Sequence, residues 1–324
     1  MTSAHLVFAA AVAAATRLGA LGYRRLWIDR LGAALTPTGF GSFLAVALFA
    51  GAVVFRLPWN VSVAFAILVA ATALYWVDDL RELSARLRMA VSFATGAAIC
   101  GLLLAGGEHL PLWMILGTCV AAGGLNVVLT NIVNFYDGAD LNLATFIALI
   151  AGGILLLAGG SPTMMVSAIA CLAFIAPFAV MNSRPRTIYL GDSGSFAFAS
   201  LLTMMAIIYF HGGEGLPPTV AIPLALPAFD TFYVFCIRMI EKHDLLTRNY
   251  LHLYQKLNQH RPGFLYLAPQ IVNAMLVWAA SAALQTLGLT PFFSVLFAVV
   301  GVTVPFYFAC RRFLLPRDIE TSVS

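Results

Sequence analysis

Charged side chains are scarce in this sequence. Lysine and arginine number 18 and aspartate and glutamate 14, together 10% of 324 residues. A soluble domain carries about a quarter. With 61% hydrophobic residues and a mean hydropathy of +0.91, the chain has too little polar material to coat a water-facing surface, so the bilayer must be its solvent. Cysteine is scarce as well. The five present (Cys100, Cys119, Cys171, Cys236, Cys310) all lie in apolar runs with no metal-ligand or disulfide spacing. The first apolar run, about residues 4–21, lacks the basic start and cleavage site of a signal peptide and reads as a retained helix. The net charge of +4 does not point to nucleic acid, because topology accounts for where the basic residues fall.

What is present is a series of apolar runs. A membrane-spanning helix needs roughly 20 mostly apolar residues. Eleven runs meet that measure: about 4–22, 39–56, 59–77, 89–106, 111–130, 141–159, 162–181, 195–211, 217–237, 267–287 and 289–310. Gly and Pro clusters such as 106–107, 159–162 and 212–213 separate them. The expected fold is all-α: one polytopic integral membrane helix bundle over residues 1–324, with about eleven transmembrane helices.

Loop charges orient the bundle. With the N-terminus outside, sixteen of the 18 basic residues fall on the inner side, and only Arg17, within the first helix, and Arg56, outside, do not. The positive-inside bias then gives N-out, C-in. Twelve of the 14 acidic residues share that inner side. A transporter is expected to place ionisable groups near the midplane on broken, repeated helices, and no such repeat is seen. The longest inner loop, about 238–266, is expected to hold a short amphipathic helix.

Five polar clusters stand on that side. Residues 131–140 read Asn-Ile-Val-Asn-Phe-Tyr-Asp-Gly-Ala-Asp, and in a helix Asn134, Asp137 and Asp140 would share a face. Asp78 and Asp79 close the third run; about 100° apart on a helix, they suit a metal and a base, or two interfacial acids balanced by Arg81, Arg86 and Arg88. Gly191-Asp-Ser-Gly-Ser195 opens the eighth run, either as an anion-binding helix start or as a simple cap. Upstream, Arg184 and Arg186 can pair with phosphate or anchor the loop at the leaflet. Asp230 lies in an apolar run and needs a partner, with Arg238 a candidate; His252 sits in the basic loop, where a lone histidine is as readily a surface residue. Carboxylates for Mg²⁺ and basic groups with open backbone N–H for phosphates are the parts that phosphoryl transfer uses.

In this order the motifs resemble those of the polyprenyl-phosphate sugar-1-phosphate transferases, over most of the chain. They are Asp78-Asp79, the 131–140 segment, Asn182 ten residues before Asp192, the Gly191–Ser195 segment, Pro-Ala-Phe-Asp-Thr around Asp230 and His-Leu-Tyr-Gln at His252, which is closest to the surface-polysaccharide branch. The resemblance implies a helix bundle with a cytoplasmic active-site cleft in the inner membrane. The reaction would be UDP-sugar plus undecaprenyl phosphate giving undecaprenyl-diphospho-sugar and UMP, with Mg²⁺, or Mn²⁺ in its place. Residue by residue it implies Asp192 as metal ligand, with Asp79 beside the metal, and Asp78 as base to the lipid phosphate. It further implies a catalytic part for His252. Asn134, Asp137 and Asp140 fall on the nucleotide side, with Asn182, Tyr189, Arg184, Arg186 and Asp230 in the substrate cleft. Three departures stand out: Leu141 replaces the second glycine of Asp-Gly-x-Asp-Gly, residues 36–41 lack the usual basic residue and Gly-Gly pair, and one histidine remains of the late cluster. The oligomeric state stays open, a homodimer included. A lipid-linked transporter and an inactive scaffold are the alternatives. A transporter would need its polar groups at depth, and a scaffold should have lost the acids.

Overall fold

The computed structural model describes residues 1–32, 35–105, 110–157, 161–184, 187–212, 218–243, 250–260 and 263–316. Within them are thirteen α-helices and no strand. Nine helical segments are long and apolar enough to cross a membrane, and the two shorter apolar helices, Ser42–Val54 and Asn142–Leu157, coincide with the second and sixth of the eleven runs. At 1.5 Å per residue those 13 and 16 residues fall short of the ~30 Å hydrocarbon core. The chain is a multi-pass membrane protein. Its contacts group into two compact units, Met1–Leu216 and Pro217–Ser324.

The first unit holds α1 (Ser3–Leu31), α2 (Ser42–Val54), α3 (Trp59–Leu80), α4 (Ala85–Leu104), α5 (Leu112–Tyr136), α6 (Asn142–Leu157), α7 (Pro162–Asn182) and α8 (Gly191–Gly212). Helix α8 packs on α2, α3, α4 and α5, and 72% of its spanning window is buried, the largest share of any span. Small residues along it (Ser193, Ala197, Ala199, Ser200) let its neighbours approach closely. One mid-span polar cluster is matched internally. Asn126 of α5 donates to the Ser92 carbonyl of α4 at 2.7 Å and accepts from Thr203 Oγ1 of α8 at 2.9 Å. Lipid offers such groups no alternative partner.

The second unit starts with a 3₁₀ turn, Pro218–Leu224, running into α9 (Ala225–Ile240). Next come the short α10 (Leu253–His260), α11 (Ala268–Thr286), α12 (Pro291–Ala298) and α13 (Val304–Leu314). A π turn, Val299–Thr303, joins α12 to α13, and there Thr303 and Asn273 of α11 hydrogen-bond at 3.3 Å. Ile222, Val277 and Ala298 centre the core of this unit. Helix α10, with Leu253, Tyr254 and Leu257 turned inward, is the amphipathic helix expected in the long loop.

Candidate active site

Asp78 and Asp79 belong to the last turn of α3, and their divergent directions give them different work. Asp78, its side chain 2% exposed, accepts the Leu83 N–H at 2.6 Å and faces Arg88 Nη1 at 3.3 Å. It thereby fixes the turn into α4, whose first turn Ser84 caps. Asp79 points to the start of α8. Its Oδ1 accepts the Asp192 N–H at 2.8 Å and the Thr38 hydroxyl at 3.3 Å, and its Oδ2 accepts the Ser193 N–H at 3.1 Å. The anion at this helix start is therefore a side chain of another helix, which replaces both sequence readings of residues 191–195.

Backbone shape makes that approach possible. Gly191 has φ +76°, and a Cβ there would strike Asp79 Oδ1 and the Gly39 nitrogen. Gly41 lies against Gly194, backbone on backbone, with no room for a side chain. Residues 37–41 run beside 189–190: Tyr189 N–H donates to Pro37 O at 2.8 Å and Gly41 N–H to Leu190 O at 2.9 Å. Ser193 Oγ donates to the Gly39 carbonyl at 3.1 Å, while the Thr38 carbonyl accepts Tyr23 OH at 2.6 Å. The stretch that departs from the family pattern is thus the wall of the α8 entrance.

Asp192 projects from this entrance, its side chain 29% exposed, and meets Arg88 Nη1 at 2.9 Å. One nitrogen of Arg88 thereby bridges Asp78 and Asp192, which lie 10 and 104 residues away from it in sequence. The Arg88 carbonyl is held by Tyr75 OH at 2.6 Å.

The 131–140 segment is not one helical face. Helix α5 ends at Tyr136, Asp137 caps it with its N–H on the Asn134 carbonyl, and the chain then turns. The turn over 137–141 breaks the three-residue register, and Leu141 ends it in the left-handed region (φ +62°). Asn182 Oδ1 accepts the Leu141 N–H at 2.6 Å while its Nδ2 donates to the Ile188 carbonyl at 2.9 Å, pinning this turn to the α8 entrance. Asp137 is partly exposed and receives the Gly191 N–H. Removal from water, followed by the charges of Asp192 and Asp79, pushes its carboxyl well above the ordinary range. Burial raises that of Asp140 as well.

Among the described residues no three His, Cys, Asp or Glu side chains enclose a metal site. Mg²⁺ does not need such a cage, because it keeps waters and takes one or two carboxylates together with substrate phosphates. Asp192 and Asp137 fit that use: hard oxygen donors, partly exposed, and close enough that the charge of one shifts the other. Asp79, expected beside the metal, fits poorly, since both its oxygens hold backbone N–H groups.

In the second unit Asp230 is fully buried, and its partner is His252 rather than Arg238. Imidazole Nδ1 donates to Oδ2 at 2.9 Å, while Oδ1 accepts the Leu253 N–H at 3.1 Å and Tyr307 OH at 2.7 Å. Arg311 Nη1 reaches the Tyr307 hydroxyl at 3.3 Å, and the guanidinium carbon lies 5.0 Å from the centre of the Tyr233 ring. His252 is 2% exposed, so it is no surface histidine. Lys256 is buried on α10, and burial plus repulsion from Arg311, against the opposing pull of Glu241, lowers its pKa.

Six of the expected site residues (Asp78, Asp79, Asn182, Asp192, Asp137 and Tyr189) meet at or beside the α8 entrance, with Asn134 and Asp140 in the adjoining α5 end and turn. Arg184 is exposed and carries no ion pair among the described residues, and Arg186 lies outside them. Asp230 and His252 form their own centre. Sequence reasoning overlooked Arg88, Thr38 and Tyr307 as site residues.

Residues 59–210 match the model of glycosyl transferase family 4. The chain is 25% identical over 136 residues to a probable undecaprenyl-phosphate N-acetylglucosaminyl 1-phosphate transferase of Bacillus subtilis, covering 40% of this chain and 38% of that protein. It is 27% identical over 198 residues to a phospho-N-acetylmuramoyl-pentapeptide-transferase of Rippkaea orientalis, covering 54% of each. The chain thus spans between about two fifths and about half of the length of these relatives. The family resemblance drawn from the motifs is borne out.

Proposed function

We propose that this chain, a member of the polyprenyl-phosphate sugar-1-phosphate transferase superfamily, transfers a sugar-1-phosphate from a UDP-sugar to undecaprenyl phosphate and releases UMP. The observation that carries the reading is the meeting of α3, α4, α5 and α8 residues (Asp78–Asp79, Arg88, Asp137, Asp192) at one helix entrance, all within the segment that matches the family. An N-acetylhexosamine or a deoxy derivative is the proposed sugar, and a cell-envelope glycan the destination. The N-out, C-in orientation read from the loop charges would open the site to the cytoplasm, where UDP-sugars are made.

In this reaction an oxygen of the lipid phosphate attacks the sugar-bearing phosphorus of the donor. The bond from that phosphorus to the bridging oxygen breaks, and UMP leaves with the electron pair. A phosphate monoester has a second pKa of about 6 and is already largely dianionic at neutral pH, so little base catalysis is needed. That suits Asp78, which is too enclosed to take a proton from a lipid headgroup and instead positions Arg88. A bound Mg²⁺ would neutralise the diphosphate and the leaving UMP. Asp192 and Asp137 would hold it, Asp79 and Asn182 would fix the two segments that carry them, and Arg88 would face the incoming phosphates. Catalysis is then mostly alignment and charge neutralisation.

The test is purified protein with undecaprenyl phosphate, Mg²⁺ and a panel of UDP-sugars, followed by UMP release. Turnover with at least one sugar is expected, together with loss of it in EDTA. Silence across the panel would return the chain to the transporter or scaffold readings.

A further inference from the structure

We infer that Arg88 is a built-in counter-ion that sits in the seat of a divalent cation and must let go of Asp192 before one binds. The inference rests on the transferase reading above and adds a competition within its site. Among the described residues Arg88 is the one cation ion-paired with Asp78 or Asp192. It grips both carboxylates through the same nitrogen, Nη1, at 3.3 and 2.9 Å. A guanidinium holds a carboxylate best through two parallel N–H bonds, so a single shared nitrogen is the weaker of its two modes.

The two carboxylates differ in how easily they can be given up. The Asp78 side chain is 2% exposed and that of Asp192 29% exposed. A buried carboxylate left without compensation is strongly unfavourable, whereas a partly hydrated one is not. Arg88, 38% exposed and with its own carbonyl held by Tyr75, can therefore withdraw toward Asp78 by side-chain rotation alone. Asp192 stands among Asp78, Asp79 and Asp137, and a cation beside it relieves their mutual repulsion. Arg88 supplies one positive charge there, and a divalent ion would supply two.

This gives opposite signs for two neighbouring substitutions. Arg88→Gln removes the competitor, so Mn²⁺ should bind on the order of tenfold more tightly. Asp78→Asn leaves Arg88 only Asp192 to pair with, so Mn²⁺ should bind weaker by a similar factor, although Asp78 touches no metal. The experiment is Mn²⁺ titration of the full chain in detergent, without substrate, read by the paramagnetic resonance of the free ion. Asp192→Asn is the control, and melting temperature is recorded with and without Mn²⁺. Arg88→Gln should melt lower than wild type without metal and recover when Mn²⁺ is added. Unchanged or weaker binding in Arg88→Gln overturns the inference. Should that variant not fold, equal or tighter binding in Asp78→Asn does so instead. Wild-type binding that Asp192→Asn abolishes and Arg88→Gln leaves unmoved sinks the counter-ion alone. If wild type binds no Mn²⁺ without substrate, the inference falls, while the metal of the transferase reading is judged separately by the EDTA arm of the UMP assay.

Discussion

The two units solve the placing of an aspartate in a membrane protein in opposite ways. In the first, Asp78, Asp79, Asp137 and Asp192 gather with one arginine between them, and three of the four keep an opening to solvent. In the second, a single Asp230 is sealed off and receives an imidazole N–H, a backbone N–H and a phenol, with Arg311 behind the phenol. Negative charge is in excess at one centre and fully answered at the other. An acid with solvent access suits a ligand; a buried acid with both oxygens held by protein donors suits a joint. The α8 entrance is where the proposed chemistry would take place, and Asp230 joins α9, α10 and α13.

Substitutions can break that contrast. Asp192→Ala should lower UMP release by about a thousandfold or more, since it removes charge stabilisation worth several kcal/mol in the transition state. Its effect on unfolding should stay near 1 kcal/mol, as expected of a partly exposed ion pair. Asp230→Ala should do the reverse to stability and cost about 3–5 kcal/mol by leaving buried donors uncompensated. Denaturant unfolding in mixed micelles reads both, and equal losses from the two would erase the distinction. Gly191→Ala comes next. A side chain at φ +76° against Asp79 should cost roughly 2–3 kcal/mol and loosen the α8 entrance, seen as a lower melting temperature together with lost turnover.

Two smaller effects sharpen the comparison. The folded pKa of Lys256 lies below its unfolded value of about 10.4, so the folded state binds fewer protons between the two. Stability should therefore rise as pH climbs through that window. Lys256→Met, which also removes the repulsion from Arg311, should flatten the rise; an unchanged slope would assign it elsewhere. Leu141→Gly should barely move the melting temperature: about 1 kcal/mol of left-handed strain is relieved against a similar gain in unfolded-chain entropy. Leu141→Val, β-branched at the same backbone angle, should cost more than about 1 kcal/mol.

The helices were legible because lipid imposes a length and a composition on anything that crosses it, and every one of the eleven runs is a helical segment. The second run looked long enough to span because its apolar residues include Gly39–Gly41, which are wall and not helix. The site was legible as an inventory of acids and only in part as an arrangement. Spacing told that Asp78 and Asp79 diverge, but not that one meets Leu83 and the other the first amides of α8. It suggested a helical face for Asn134, Asp137 and Asp140, which the end of α5 at Tyr136 abolishes. Arg88 read as one of several topology-setting arginines, since its second partner lies 104 residues on. Asp230 was visibly in need of company, yet His252 reaches it through a loop whose path no local pattern records.

The bond from Asp79 to the Asp192 amide joins residues 113 apart, and this dictates an order of events during synthesis. Helix α3 has left the ribosome well before α8 exists, and at 5–20 residues per second the wait is roughly 6 to 20 seconds. Through that interval a carboxylate is parked at the membrane edge with no amides to receive. A nascent chain halted between α3 and α8 should accordingly stay open to proteases at residues 36–41 and close only once the eighth helix has arrived.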